Sequence, residues 1–175
     1  MSGRSIAITV IGNDRPGIVA GVTEVLFEQG CNLEDVTSTI LRGHFSMVLI
    51  VQPSGSRTAD DLEEALSPVA DRLGLVVTAR PVEDVETQIA SPTHMVSVYG
   101  ADKPGIGYRV AQALADAGAN VTDLTSRVIG EPDAPVYALM MEVAAEGLDI
   151  ARVISEATSG LGVDASVHPI EADVL

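Results

Sequence analysis

The chain is 175 residues long, and its 46% hydrophobic and 20% charged content is that of a core-forming globular protein, which excludes wholesale disorder. Aromatic residues make up 3%, with no Trp, so the core must be built from Val, Ile, Leu, Ala and Met. Ten Lys and Arg stand against 25 Asp and Glu, a net charge of −15 whose field repels a phosphate backbone and argues against direct nucleic-acid binding.

The elements follow in chain order. Ile6 to Ile11 is apolar and β-branched and stops at a glycine turn, which predicts a strand. From Pro16 the period changes: Ile18, Val22 and Leu26 recur at i+4, one face of a helix, and Gly30 stands where a C′ glycine belongs. Asn32 to Leu41 alternates apolar with polar and reads as a half-solvated strand. His44 to Gln52 is the next strand, Asp60 to Leu73 a second helix, and Leu75 to Arg80 a closing strand.

The same order then repeats. GNDRPGI at 12–18 recurs as GADKPGI at 100–106, an offset of 88, and twelve of the 27 positions in 12–38 are identical in 100–126. Met95 to Tyr99 repeats the first strand; Ile106, Val110 and Leu114 repeat the helical face, with Gly118 after it. Asn120 to Ile129, Val136 to Val143, Asp149 to Leu161 and Val163 to His168 complete the second copy. The loop before VYALMMEV is about four residues longer than the one before HFSMVLIV. The expected class is α+β: two ferredoxin-like βαββαβ domains, each an antiparallel sheet with both helices on one face. The expected domains are 1–82 and 93–175, joined by a polar linker at 83–92.

Little here points to catalysis. His44, His94 and His168 share no metal-ligand spacing with Cys31, so no metal and no cofactor is expected. Neither a nucleophile elbow, a Walker loop nor a dinucleotide fingerprint is present. Cys31, a single thiol, cannot close an internal disulfide and reads as a small hydrophobe beside a helix end. Asp60, Asp61, Glu63 and Glu64 read as a solvated helix start. The longest apolar runs fall far short of the roughly 18 residues of a membrane span, and the expected location is the cytoplasm.

A strand, a D-[RK]-P-G-I turn, a helix with I-x3-V-x3-L, then G-x-N-[LV]-x-D resembles the ACT domain, and the resemblance covers both halves. The tandem arrangement without a further domain is similar to the glycine cleavage system transcriptional repressor family. The resemblance implies a regulatory, non-enzymatic module that binds an amino acid at an interface between ACT units. It also implies a protein partner such as a transcription regulator, and a homodimer. Glycine or serine is the ligand it brings to mind first; an interaction module with vestigial ligand sites is the alternative.

The candidate ligand residues lie in the turns and at the strand after each first helix. They are Asn13, Asp14, Arg15, Pro16, Gly17, Ile18 and Asn32 in the first copy. Their counterparts are Ala101, Asp102, Lys103, Pro104, Gly105, Ile106 and Asn120. Asp14 and Asp102 stand where an N-cap would accept a backbone N–H, or where an ammonium group would find a carboxylate. Pro16 and Pro104 fit a first helical turn; Gly17 and Gly105 either shape that turn or admit close approach of a ligand. N–H groups at the positive end of the helix would hold a carboxylate. Asn32 and Asn120 offer both a donor and an acceptor, for a ligand or for the local turn. Arg15 and Lys103 read as solvated. In some amino-acid-binding ACT domains a histidine occupies the position of Gly12 and Gly100.

Overall fold

The computed structural model describes residues 5–83, 90–101 and 103–170. The chain divides into two compact units, Met1–Glu86 and Thr87–Leu175. The first holds β1 (Ser5–Asn13), α1 (Ile18–Glu28), β2 (Cys31–Leu41), β3 (His44–Pro53), α2 (Ala59–Leu73) and β4 (Leu75–Val82). The second repeats them as β5 (His94–Ala101), α3 (Ile106–Asp116), β6 (Asn120–Glu131), β7 (Ala134–Ala144), α4 (Ile150–Thr158) and β8 (Val163–Pro169). Strand order is β2-β3-β1-β4 in one sheet and β6-β7-β5-β8 in the other, antiparallel throughout. This is the βαββαβ pattern, twice, in an α+β fold.

The period-2 strands and i+4 helices meet where their apolar faces coincide. In unit 1, Ile8 and Val10 of β1 and Met47 and Leu49 of β3 are buried against Ile18, Val22 and Leu26 of α1 and Leu62 and Leu66 of α2. Unit 2 buries Val96, Val98, Leu139 and Met141 with Ile106, Val110, Leu114, Ile150 and Ile154. At the C-terminal ends of α1 and α3, Gly30 (φ 69°) and Gly118 (φ 81°) take the left-handed conformation that the C′ position asks for.

Strands β2 and β6 depart from expectation. Neither buries a face: Val36, Ile40 and Leu41 in β2, and Leu124, Val128 and Ile129 in β6, are all exposed. Both are edge strands, and at their starts Cys31 of β2 and Val121 of β6 pack against the core of their unit while most of their other side chains stay exposed. Helix α4 also differs from expectation, ending at Thr158 before Gly160 and Gly162, both at positive φ.

The acidic start of α2 is a capping box. Asp61 N–H donates to the Thr58 hydroxyl at 3.2 Å, while the Asp61 carboxylate accepts from Thr58 N–H at 2.7 Å and from its hydroxyl at 2.9 Å. These bonds hold the Asp61 carboxyl below its ordinary pKa, so its contribution to stability is present above the unfolded value and is lost as pH falls through the folded one. Thr58→Ala is expected to cost about 1 kcal/mol in a urea titration at neutral pH. No helix among the described residues is long and apolar enough to cross a membrane.

Candidate functional site

The Pro-Gly turns link the C-terminal ends of β1 and β5 to α1 and α3. Gly17 is the N-cap of α1, at φ 95° and ψ −4°, and Gly105 is the N-cap of α3, at φ 92° and ψ −3°. Neither helix has a side-chain cap. The expectation that Asp14 caps the helix is therefore corrected. Two residues intervene before the N-cap, and the Asp14 backbone instead donates to Gly43 O at 2.8 Å, tying the turn to the β2–β3 hairpin. Asp102 lies outside the described residues. Pro16 and Pro104 precede the helices instead of entering their first turns, and set the approach to a glycine that must be left-handed.

That conformation explains the glycines, because other residues pay for positive φ. A Cβ built on Gly17 or Gly105 meets nothing within 4 Å, so the demand is conformational and the space above the turn is open. Gly17→Ala is expected to destabilise unit 1 by about 1–2 kcal/mol, the cost of a left-handed L-residue, as read by denaturant unfolding. Gly12 and Gly100 are constrained by contact instead. A Cβ on Gly12 would lie 2.6 Å from Leu75 Cδ2 and 2.9 Å from Gly74 O, and one on Gly100 would lie 2.6 Å from Val163 Cγ1. A histidine at either position has no room.

The basic residues are not free in solution. Arg15 Nη1 donates to Leu73 O at 3.4 Å, and Lys103 Nζ donates to Leu161 O at 3.3 Å, equivalent carbonyls just ahead of β4 and β8. Leu73 ends α2, so a cation there meets the negative end of the dipole. Each turn therefore has a positive side chain laid beside it, an exposed glycine and uncapped helix N–H groups.

Asn32 and Asn120 are not brought to these turns. Asn13 pairs with His44 at one end of β3, whereas Asn32 pairs with Gln52 at the other. At about 3.3 Å per residue, those eight steps put Asn32 about 26 Å from the turn of its own unit. Asn120, paired with Ala144 while Ala101 pairs with Val136, is displaced in the same way. Both asparagines are exposed, and each is followed by a bulge, between Leu33 and Asp35 or between Val121 and Asp123.

Other neighbours of the turns went unnoticed in the sequence. His44 faces Asn13 across the sheet, and the Tyr137 hydroxyl lies 3.4 Å from where a Cβ on Gly107 would stand. Their counterparts in the repeat differ: Val136 faces Ala101, and Phe45 stands for Tyr137. The two turns thus have different walls. Aligning the two copies would have exposed both differences.

Two hollows, of about 630 and 480 Å³, lie elsewhere, around Ser56 and Arg57 in the β3–α2 loop. Acidic Asp61 and Glu64 share the first and Asp60 the second, so neither presents a single sign of charge. Cys31 is half-buried against the unit 1 core, and burial pushes its thiol up in pKa against the opposing pull of Arg57, keeping it protonated at neutral pH. Among the described residues no group of three or more His, Cys, Asp or Glu is placed to hold a metal ion.

Comparison with known proteins follows the duplication. ACT-domain family profiles match residues 4–80 and 94–159. A UPF0237 protein of Methanopyrus kandleri is 44% identical over 79 residues, covering 45% of this chain and 87% of that protein. The phosphoserine phosphatase SerB2 of Mycobacterium tuberculosis is 29% identical over 146 residues, 80% of this chain; the match spans only 34% of that enzyme. Among solved structures, a protein of unknown function from Galdieria sulphuraria superposes with a TM-score of 0.81 at 24% identity, over 96% of this chain and 99% of that one. A candidate glycine cleavage system transcriptional repressor does so with a TM-score of 0.73 at 21% identity, over 98% of this chain and 100% of that one. At these identities the structural likeness speaks for the fold. The 44% relative, matched over most of its length, and the two profile matches speak for descent: this chain belongs to the ACT-domain family and carries the domain twice in tandem.

Proposed function

We propose that the protein is a non-enzymatic regulator that senses a small amino acid through its ACT turns and passes the signal to a protein partner, such as a transcription regulator of amino-acid metabolism. One observation carries this reading. In both units a left-handed glycine caps the first helix, with open space above it and no side chain on the helix N–H groups. Those donors and the helix dipole suit a carboxylate. The missing side chain at Gly17 and Gly105 favours a close-fitting ligand, and glycine or serine is the first candidate.

Within a unit the turn and the asparagine stand at opposite ends of the sheet, so Asn32 or Asn120 can complete a site only for the turn of another ACT unit. Asp14 and Asp102 are the carboxylates proposed to meet the ammonium group, with Asn13, Arg15, Pro16 and Ile18, or Ala101, Lys103, Pro104 and Ile106, forming the rest of each turn. A thermal-shift screen of the full chain against the twenty amino acids, followed by calorimetry on those that raise Tm, tests this. Saturable binding of glycine or serine supports it. No shift with any amino acid would leave an interaction module with vestigial sites.

A further inference from the structure

Helix α1 breaks two local rules on its outer face. Its last turn carries Glu28, with Glu24 one turn earlier, although the negative end of a helix dipole favours a cation, and α1 has no basic residue. Phe27 beside them is 79% exposed, more than any other large apolar side chain among the described residues. Neither glutamate is paired with another described residue. The face is ordered in ridges. Thr23 Oγ1 donates to the carbonyls of Val19 at 2.8 Å and Ala20 at 3.2 Å, so its hydroxyl is turned to its own helix and its methyl is left to the surface. Val19, Thr23 and Phe27 therefore form an apolar ridge at i+4 spacing, with Ala20, Glu24 and Glu28 as an acidic ridge beside it. Helix α2, whose Val69 lies against Gly21 of α1, extends the charge with exposed Asp60, Glu64 and Asp71 against a single base, Arg72.

The second copy shows that the fold does not require this face. In α3, Gly107, Ala111 and Ala115 stand for Val19, Thr23 and Phe27, and Gln112 stands for Glu24. Asp116, which stands for Glu28, accepts from Gln112 Nε2 at 2.8 Å. Helix α3 holds the same place on its sheet without an aromatic side chain or an unpaired acidic ridge. Local choices that cost the helix and that its counterpart omits point to a role outside folding.

We propose that the outer face of α1 is the docking surface for a basic amphipathic helix of a partner protein. Its apolar side would lie over Val19 and Phe27, and its Lys or Arg side chains would meet Glu24 and Glu28. Charge selects this occupant. A second copy would bring another chain of net charge −15 against an acidic face, and nucleic acid or an anionic lipid surface is repelled by the same carboxylates. A cationic helix gains from both ridges at once. The exposed aromatic ring supplies the buried anchor, while the carboxylates set register and speed encounter. The inference rests on the protein-partner half of the reading above, names that partner's chemistry, and does not require an amino acid to bind.

The test uses the full chain and a fluorescein-labelled helical peptide of about 18 residues, with Leu at i, i+3, i+4 and i+7 and Lys elsewhere. Fluorescence anisotropy at about 0.15 M salt, where distant charges are screened, is expected to show saturable binding. Phe27→Ala should weaken it about tenfold. Glu24→Lys with Glu28→Lys should weaken it about tenfold or more. Glu131→Lys with Glu146→Lys makes the same change of net charge at exposed positions of unit 2 and should cost less than about threefold. Circular dichroism checks that each variant is folded. Equal weakening by the two charge-reversed pairs, affinity indifferent to Phe27→Ala, or no saturable binding overturns the proposal. Calorimetry with glycine and serine keeps the two readings apart. Phe27→Ala is expected to bind them as the unaltered chain does, and a chain that binds them but not the peptide overturns the docking face while leaving the ligand reading in place.

Discussion

Leu26→Ala is expected to lower the stability of unit 1 by about 3 kcal/mol, within the 2–5 kcal/mol range of buried leucine truncations. Leu26 is fully buried on the α1 face, one turn from Val22 and two from Ile18, in the same core as Leu49 and Val10. That core is built mostly of β-branched and leucine side chains on a four-stranded sheet, a setting expected to collapse poorly around a cavity. Leu114→Ala removes the equivalent residue from the unit 2 cluster and should cost a similar amount there. With no Trp to report on unfolding, amide hydrogen exchange is the suitable readout, since it assigns the loss to α1 or α3 and to the strands beneath. A loss below about 1 kcal/mol at either site would mean that the i+4 face is not the one that holds the helix down.

That face was the most legible feature of the sequence. Ile18, Val22 and Leu26 share their spacing with Ile106, Val110 and Leu114, and all six are buried. Periodicity works here because one helix meets one sheet. It failed for β2 and β6, where alternation raised the expectation of a buried face: an edge strand can alternate and still leave most of its apolar side chains exposed. The turn was legible as a turn but misread in detail. Asp14 has the chemistry of an N-cap, yet a left-handed Gly17 already occupies that position, and Pro16 before it holds the chain away from the helix. The separation of Asn32 from Gly17 was also within reach. Eleven residues of helix at about 1.5 Å each carry the chain to the far end of the sheet before Asn32 is reached.

Asn32→Ala combined with Asn120→Ala is expected to reduce amino-acid affinity about tenfold or more, as a charged ligand group loses a hydrogen-bond partner. Both asparagines are exposed at the start of edge strands, and neither makes a side-chain hydrogen bond that helps hold its unit together. Folding should therefore be nearly untouched, with a loss of no more than about 1 kcal/mol per site. The pair must be changed together, because each unit keeps its own asparagine about 26 Å from its own turn, and one intact asparagine would still serve one site. The single variants then become informative: each should halve the number of full-affinity sites seen by calorimetry while leaving the remaining site unchanged. Gly17→Ala adds a separate check, since it alters the carboxylate end without touching an asparagine. If Asn32→Ala with Asn120→Ala binds as the unaltered protein does, while Gly17→Ala and Gly105→Ala together abolish binding, the helix N-termini hold the ligand alone and the asparagines have no part in it.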